Sequence, residues 1–230
     1  MYSFTFVFNI LEILAFIASI YFYKKHPSQK IKTLVVFLGV TSLVELVGRY
    51  ALLVVDDGPL SFLDTTPFRR NYWMYNTYYI YSYSFYTLFF SFFLKNKVVK
   101  KLLKYLVVVY VFIAVTVFIV SGDFFSFYSK INSILGTLLV ILSVFMYYFE
   151  LLESKNILRI FKLLPFYISV GILLFEITTT PLRIYSAYYS NSIDPQFVNL
   201  YQNINYSANF FLYSIFIFGL LLCSRYKNPY

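Results

Sequence analysis

The sequence predicts an all-α, polytopic membrane protein that forms a bundle of seven transmembrane helices, and three observations support this prediction. The 230 residues are 60% hydrophobic and 13% charged, with a mean hydropathy of +0.70. A soluble domain carries about 25% charged residues. The chain also contains seven long apolar stretches, and its lysines lie in the short segments between them. This combination is typical of a polytopic helical membrane protein.

Each apolar stretch is long enough to cross a bilayer, because a transmembrane helix needs about 20 residues, with a range of about 17–25. The helices are predicted over residues 3–23, 33–55, 72–94, 105–121, 131–151, 164–188 and 197–223. The connecting segments are too short to hold a further domain. We therefore expect a single transmembrane domain over residues 1–230.

The distribution of basic residues predicts how the chain is threaded. The first, third and fifth loops hold twelve of them: Lys24, Lys25, Lys30, Lys32, Lys95, Lys97, Lys100, Lys101, Lys104, Lys155, Arg159 and Lys162. The opposite side holds four: Arg69, Arg70, Lys130 and Arg183. Short cytoplasmic loops are enriched in Lys and Arg, so we expect the amino terminus outside and the carboxy terminus inside. The expected location is the bacterial cytoplasmic (inner) membrane, as a multi-pass protein.

The formal net charge of +9 does not indicate nucleic-acid binding. The basic residues sit in short loops and act as topology signals, rather than forming a soluble basic domain. The expected partner is the lipid bilayer, and anionic lipids can add to the attraction.

Two opposite charges lie inside the second predicted helix, in the segment LVELVGRYALLVV. Glu45 and Arg49 are four residues apart, so an α-helix would place both on one face. The fourteen Leu, Val and Phe residues between Leu34 and Val55 favour insertion by roughly 4–8 kcal/mol. Each charge near the bilayer centre costs about 2.5–3.5 kcal/mol, which nearly cancels that gain. Either the pair neutralises itself and fixes helix packing, or it belongs to a functional site.

When the chain is threaded in this way, five predicted helices direct polar groups at the same half of the membrane, with the three glutamates near the midplane and the arginines and amides further out. The candidate ligand-binding residues are Glu12, Glu45, Arg49, Asn76, Glu176, Arg183, Gln202, Asn205 and Asn209. They predict an outward-leaning pocket for a small polar or anionic ligand, because arginine binds carboxylates and phosphates bidentately. The fourth predicted helix is nearly free of polar residues, so we expect it to face lipid.

No catalytic, metal-binding or cofactor-binding signature occurs in the sequence, so we expect a protein that is not an enzyme. The motifs H-E-x-x-H, G-x-S-x-G, C-x-x-C and the P-loop are all absent. The one histidine, His26, lies in a predicted cytoplasmic loop. A retinal protein needs a lysine in its seventh helix, and residues 197–223 contain none. We therefore expect no catalytic residues, no metal site and no cofactor.

The third and seventh predicted helices share a pattern at an offset of 127 positions, which reflects either an internal repeat or similar composition. The matched pairs are Asn76 and Asn203, Tyr79 and Tyr206, and Tyr86 and Tyr213. A repeat would divide the chain into three helices, one linker helix and three further helices in the same orientation, as known in small transporters.

In this layout the chain resembles transporters of the SWEET and PnuC kind. The Pro–Gln dipeptide of the former occurs here as Pro195–Gln196, in a predicted loop. In size and layout the chain also resembles small, uncharacterised bacterial seven-helix membrane proteins along most of its length. Its most distinctive short string is ELVGR, from Glu45 to Arg49. This resemblance implies no activity.

The expected function is that of a receptor-like membrane sensor that binds a small polar ligand and signals through a partner protein. One alternative is a small-solute transporter or channel. A second is an accessory or structural subunit whose buried polar residues bind partner helices.

Overall fold

A computed structural model of the chain describes residues 2–56, 58–185 and 195–227, with side chains from Ile10 onward. The described residues contain seven α-helices, which we number in chain order. Their bounds are α1 Tyr2–Lys25, α2 Gln29–Gly48, α3 Tyr72–Ser91, α4 Lys97–Ser121, α5 Lys130–Leu152, α6 Leu164–Ile184 and α7 Pro195–Cys223. Short 3-10 helices cover Arg49–Leu53, Ser61–Leu63, Pro67–Arg69, Asp123–Phe125 and Lys155–Lys162. No strand occurs in the described residues, which confirms the all-α prediction.

Side-chain caps define several of the helix starts. The Ser28 hydroxyl accepts from the Ile31 amide at 3.3 Å at the start of α2. The Asn96 side chain does the same for two amides at the start of α4. Such caps satisfy amides that have no partner within the helix. The α4 helix ends at Ser121 and is followed by Gly122, whose φ of 70° lies in the left-handed region that favours glycine.

Among the described residues, five helical segments are long and apolar enough to cross a membrane: Gln29–Leu53, Lys97–Ser121, Lys130–Leu152, Leu164–Ile184 and Pro195–Cys223. The α3 helix is less apolar because seven of its residues are tyrosines. On α4, the side chains of Val108, Phe112 and Val120 are 66%, 73% and 81% exposed. Long apolar helices with exposed apolar faces are compatible with a multi-pass membrane protein.

Six helices form a closed ring in the order α1, α2, α3, α5, α6, α7, and α7 packs against α1 to complete it. The α4 helix lies outside this ring, against α3 and α5. Large apolar side chains fill the core, including the fully buried Phe89, Phe216 and Leu164. The ring leaves a polar space among its helices, which is described below.

Basic segments that are far apart in sequence meet at one end of the bundle, which we call the basic end. His26 Nε2 lies 3.3 Å from the carbonyl oxygen of Ser224. The Lys162 ammonium lies 5.3 Å from the centre of the Tyr226 ring. The Glu150 carboxylate accepts a hydrogen bond from the backbone amide of Lys95. The loops α1–α2, α3–α4 and α5–α6 and the carboxy-terminal segment are therefore grouped together.

Several predicted helix bounds need correction. The fourth helix, predicted over residues 105–121, begins at Lys97, and the third helix, predicted over residues 72–94, ends at Ser91. The second helix, predicted over residues 33–55, is α-helical only to Gly48 and continues as a 3-10 helix. At Gly48 the α3 helix packs closely against α2. A β-carbon added to Gly48 would lie only 2.6 Å from Met74 Cε. The Asn71 amide also donates to the Gly48 carbonyl at 2.8 Å.

The seventh helix starts at Pro195, so Pro195–Gln196 lies in its first turn and not in a loop. Proline suits this position because its missing N–H would have no partner there. The sixth helix ends at Ile184, and residues 186–188 of its predicted span lie outside the described residues.

Candidate functional site

A polar cavity of about 290 Å³ lies among α1, α2, α3, α6 and α7. We call it the central cavity. Six of the nine predicted ligand-binding residues line it: Glu12, Glu45, Glu176, Arg183, Asn205 and Asn209. Seven tyrosines form much of the rest of its wall: Tyr75, Tyr78, Tyr79, Tyr83, Tyr86, Tyr206 and Tyr213. The volume is at the lower limit of typical ligand sites, which span about 300–1,000 Å³.

The central cavity lies in the half of the bundle remote from the basic end. Glu45 is near the end of α2 that leads away from the basic end, and Arg183 is the next-to-last residue of α6. The lining residues of α3 belong to the part of that helix that precedes Thr87. The site therefore leans toward the end of the bundle where few basic residues lie.

Arg183 and Glu176 form a buried ion pair at one side of the cavity. Arg183 Nη1 lies 3.2 Å from Glu176 Oε2, and their side chains are 17% and 5% exposed. The same nitrogen donates to the hydroxyls of Tyr83 and Ser133, and Nη2 donates to Thr179. Both terminal nitrogens of the guanidinium thus already have acceptors within the protein.

Glu176 is held from a second direction by α5. The Thr137 hydroxyl donates to Glu176 Oε2 at 2.7 Å, and it lies 3.2 Å from the Thr180 hydroxyl. The carboxylate therefore has both a counter-ion and a neutral donor. A buried ion pair with such additional hydrogen bonds fixes the arrangement of the helices that supply it.

The other two carboxyl groups of the cavity have fewer partners. Tyr75 donates to Glu45 Oε2 at 3.0 Å. Glu12 is 6% exposed, and its Oε2 atom has no hydrogen-bond partner among the described residues. Glu12 and Glu45 are also close enough to repel each other electrostatically. An unpartnered buried carboxyl oxygen is costly, so Glu12 is a candidate for contact with a ligand in this cavity.

Three predicted site residues are not among those that line the central cavity. Arg49 lies beyond the end of α2, in the 3-10 helix, so the single α-helical face predicted for Glu45 and Arg49 is interrupted. Its charge still acts on Glu12 and Glu45. Gln202 lies on α7. The Asn76 amide donates to the carbonyl oxygens of Phe124 and Phe127, at 2.9 and 2.8 Å, and so secures the segment between α4 and α5.

A second space of about 230 Å³ adjoins the central cavity, and we call it the vestibule. The two spaces share five lining residues: Tyr75, Tyr79, Phe175, Arg183 and Asn205. The vestibule is also lined by Tyr128, Ser129 and Lys130, which connect α4 to α5. Arg183 and its neighbours therefore form the partition between the central cavity and the outer segments of the bundle.

The sequence did not identify the contribution of α5. Ser133 and Thr137 are four residues apart on one face of α5, and both bond to the Arg183–Glu176 pair. Between them, Gly136 allows Tyr83 to pack against the helix, since an added β-carbon would overlap that ring. The spacing of serine, glycine and threonine was a usable signal, because small residues mark close helix contacts in membranes.

Comparison of the chain with protein-family models, with curated proteins and with solved structures gives no significant match. Function must therefore be inferred from the geometry of the site. In the parts of the chain that the structure describes, no three His, Cys, Asp or Glu residues are grouped to hold a metal ion.

Proposed function

We propose that the chain is a receptor-like membrane sensor, which binds a small polar ligand in the central cavity and signals through a partner protein. The observation that carries this proposal is the cavity itself, where carboxylates, amides and tyrosine hydroxyls converge among apolar helices. Ionisable groups within a membrane bundle are expensive and are usually kept for function. Glu12, with its unpartnered oxygen, supports a site that a ligand completes.

The proposed threading has all seven helices crossing the bacterial cytoplasmic membrane, with the amino terminus outside and the carboxy terminus inside. The grouping of Lys and Arg at the basic end supports it, because such residues are retained on the cytoplasmic side. With this orientation the central cavity and the vestibule lean outward, toward solutes outside the cell.

Cysteine labelling in intact cells tests the threading. In a Cys223→Ser background, Ser126→Cys at the outer segment should react with an impermeant thiol reagent added outside. Glu153→Cys, next to the basic end, should react only after the cells are opened. The reverse pattern would show that the threading is inverted.

Ligand binding is tested by thermal unfolding of the purified chain with pools of small polar metabolites. A pool that contains the ligand should raise the unfolding temperature, since a ligand that binds only the folded state stabilises it. Asn209→Leu changes a residue that lines the cavity, and Asn203→Leu changes an exposed asparagine on the same helix. The shift should persist in Asn203→Leu and disappear in Asn209→Leu. An equal shift in both variants would place binding elsewhere and would refute the proposal.

Transport of a small solute is a second candidate, favoured by the arrangement of the ring. The ring can be divided into two halves, α1–α3 and α5–α7, whose helix contacts correspond. The contact of α1 with α2 corresponds to that of α5 with α6, the contact of α2 with α3 to that of α6 with α7, and the contact of α1 with α7 to that of α5 with α3. Parallel repeats about a central site occur in transporters. Purified chain in liposomes should take up the ligand unaided if it is a transporter, whereas a sensor should bind it without uptake.

A further inference from the structure

Among the described residues, more acidic than basic side chains line the central cavity. Three carboxyl groups line it, from Glu12, Glu45 and Glu176, together with the guanidinium of Arg183. Arg49 is the second cation close enough to act on Glu12 and Glu45. When all of these groups are ionised, three negative and two positive charges leave one negative charge. A bound monovalent cation would neutralise the set.

The position of that negative charge is defined by hydrogen bonding. Arg183 compensates Glu176 directly, and its terminal nitrogens also bind Tyr83, Ser133 and Thr179. An anionic ligand at Arg183 would have to compete with these acceptors. Glu12 is different, because its Oε2 atom is buried without a partner and the residue lines the cavity. The unpartnered polar atom among these groups is therefore a carboxyl oxygen of Glu12, and not a terminal nitrogen of Arg183.

The walls of the cavity suit an organic cation better than a metal ion. Tightly bound divalent metal ions usually have several carboxylate, imidazole or thiolate ligands, and no group of three such residues occurs in the described residues. Instead the walls are rich in tyrosine, and aromatic faces attract ammonium groups by cation–π interaction. The protein already uses this contact here, because the Arg183 guanidinium carbon lies 5.9 Å from the centre of the Tyr79 ring.

We infer that the central cavity binds a small organic cation of the alkylammonium class, with its charged group at Glu12 and Glu45 and its alkyl groups against the tyrosines. This rests on the proposed function and specifies the class of ligand that the same site takes. It also reverses the sign of the ligand charge expected from the sequence, where the arginines indicated an anion.

The sign of the cavity charge can be measured without knowledge of the natural ligand. Ser82 lines the central cavity, and Ser82→Cys in a Cys223→Ser background introduces one small thiol there. Its reaction rates are compared for methanethiosulfonates that carry a trimethylammonium or a sulfonate group. Ser126→Cys, which is exposed outside the cavity, gives the reference ratio.

The ratio of cation to anion rates at Ser82→Cys should exceed the reference by about tenfold or more, since a lined cleft concentrates counter-ions by about 10–1,000-fold. Adding Glu12→Gln or Glu45→Gln should lower this ratio toward the reference. Glu153→Gln, at an exposed glutamate next to the basic end, should leave it unchanged. A ratio at or below the reference would overturn the inference.

Binding is then measured as protection. Choline, at millimolar concentration, should slow the reaction of Ser82→Cys with the neutral methyl methanethiosulfonate. Its carbon isostere dimethylbutanol has the same shape without the charge, and it should not protect. Glu12→Gln should abolish the protection by choline, with correct folding checked by gel filtration and circular dichroism, and Glu45→Gln provides a second variant.

These outcomes distinguish failure of the cation site from failure of the proposed function. Equal protection by choline and dimethylbutanol, or protection by choline that survives Glu12→Gln, would overturn the cation site and leave a cavity that binds polar ligands. Absence of protection by choline would also count against the cation site. Failure of every reagent to reach Ser82→Cys, while Ser126→Cys reacts, would overturn both the cation site and the proposed function.

Discussion

Removal of Arg183 should destabilise the protein far more than removal of the whole ion pair. In Arg183→Met, the methionine fills a similar volume, but Glu176 keeps only the Thr137 hydroxyl and loses its counter-ion. In the double variant Glu176→Leu/Arg183→Met, no charge remains uncompensated. The two variants therefore separate the cost of a lone buried carboxylate from the net contribution of the pair.

The magnitude follows from the hydrogen bonds that survive. Tyr83 and Ser133 hydroxyls lie 3.1 Å apart, and Thr179 donates to the carbonyl oxygen of Phe175 at 2.8 Å. Loss of Arg183 therefore leaves these hydroxyls with partners, and the cost falls on Glu176. One unpaired charge of a buried pair costs about 3–5 kcal/mol, whereas replacement of both partners by apolar residues is often neutral. We expect the double variant to recover about 3 kcal/mol relative to Arg183→Met.

Unfolding by titration with SDS, followed by circular dichroism, measures these differences in the purified chain. Arg69→Met is the matched control, because it breaks the ion pair between Arg69 and Asp64, whose side chains are 59% and 38% exposed. Exposed pairs contribute about 0–1 kcal/mol. The reasoning would be refuted by a double variant as unstable as Arg183→Met, or by a control that loses as much stability.

Three further predictions concern packing, and each is measured in the same unfolding assay. Gly136→Ala should cost about 1–3 kcal/mol because the new methyl group displaces the Tyr83 ring; parental stability would show that the ring moves freely. Asn76→Leu should cost about 1–3 kcal/mol because two loop carbonyls lose their donor, and a neutral result would assign Asn76 to ligand binding instead. On α4, the buried Ala114→Leu should destabilise by about 1–3 kcal/mol, whereas the exposed Val108→Leu should be nearly neutral; equal effects would contradict the outward position of α4.

Properties of single segments could be predicted from the sequence. The length of the apolar segments and the absence of β-type alternation predict helices. The near-absence of polar residues in the fourth segment predicts that α4 is exposed. Glu12, Glu45, Glu176 and Arg183 were also recognisable, because isolated charges in apolar runs need a common polar space. These predictions depend only on the free energy of placing each residue type in an apolar environment.

Properties that depend on neighbouring helices could not be predicted in the same way. A spacing of four residues placed Glu45 and Arg49 on one α-helical face, but α2 ends at Gly48, where α3 packs closely, and a 3-10 helix begins at Arg49. A buried ion pair joins Glu176 and Arg183, which are seven residues apart on α6. Asn76 points to loop carbonyls because of how α3 is rotated against α4 and α5, and no local pattern encodes that rotation.

The ring of helices closes late in synthesis. Its two joining contacts, α3 with α5 and α1 with α7, need helices that emerge from the ribosome after the first half of the chain. Until then Glu12 and Glu45 lie on an open face, without the α6 and α7 side chains that later surround them. Each such residue costs about 2.5–3.5 kcal/mol at the centre of a bilayer. In the proposed threading, a nascent chain halted after α4 would therefore be held poorly by lipid alone, and its first three helices would have to remain hydrated, or sheltered by the insertion machinery, until the second half arrives.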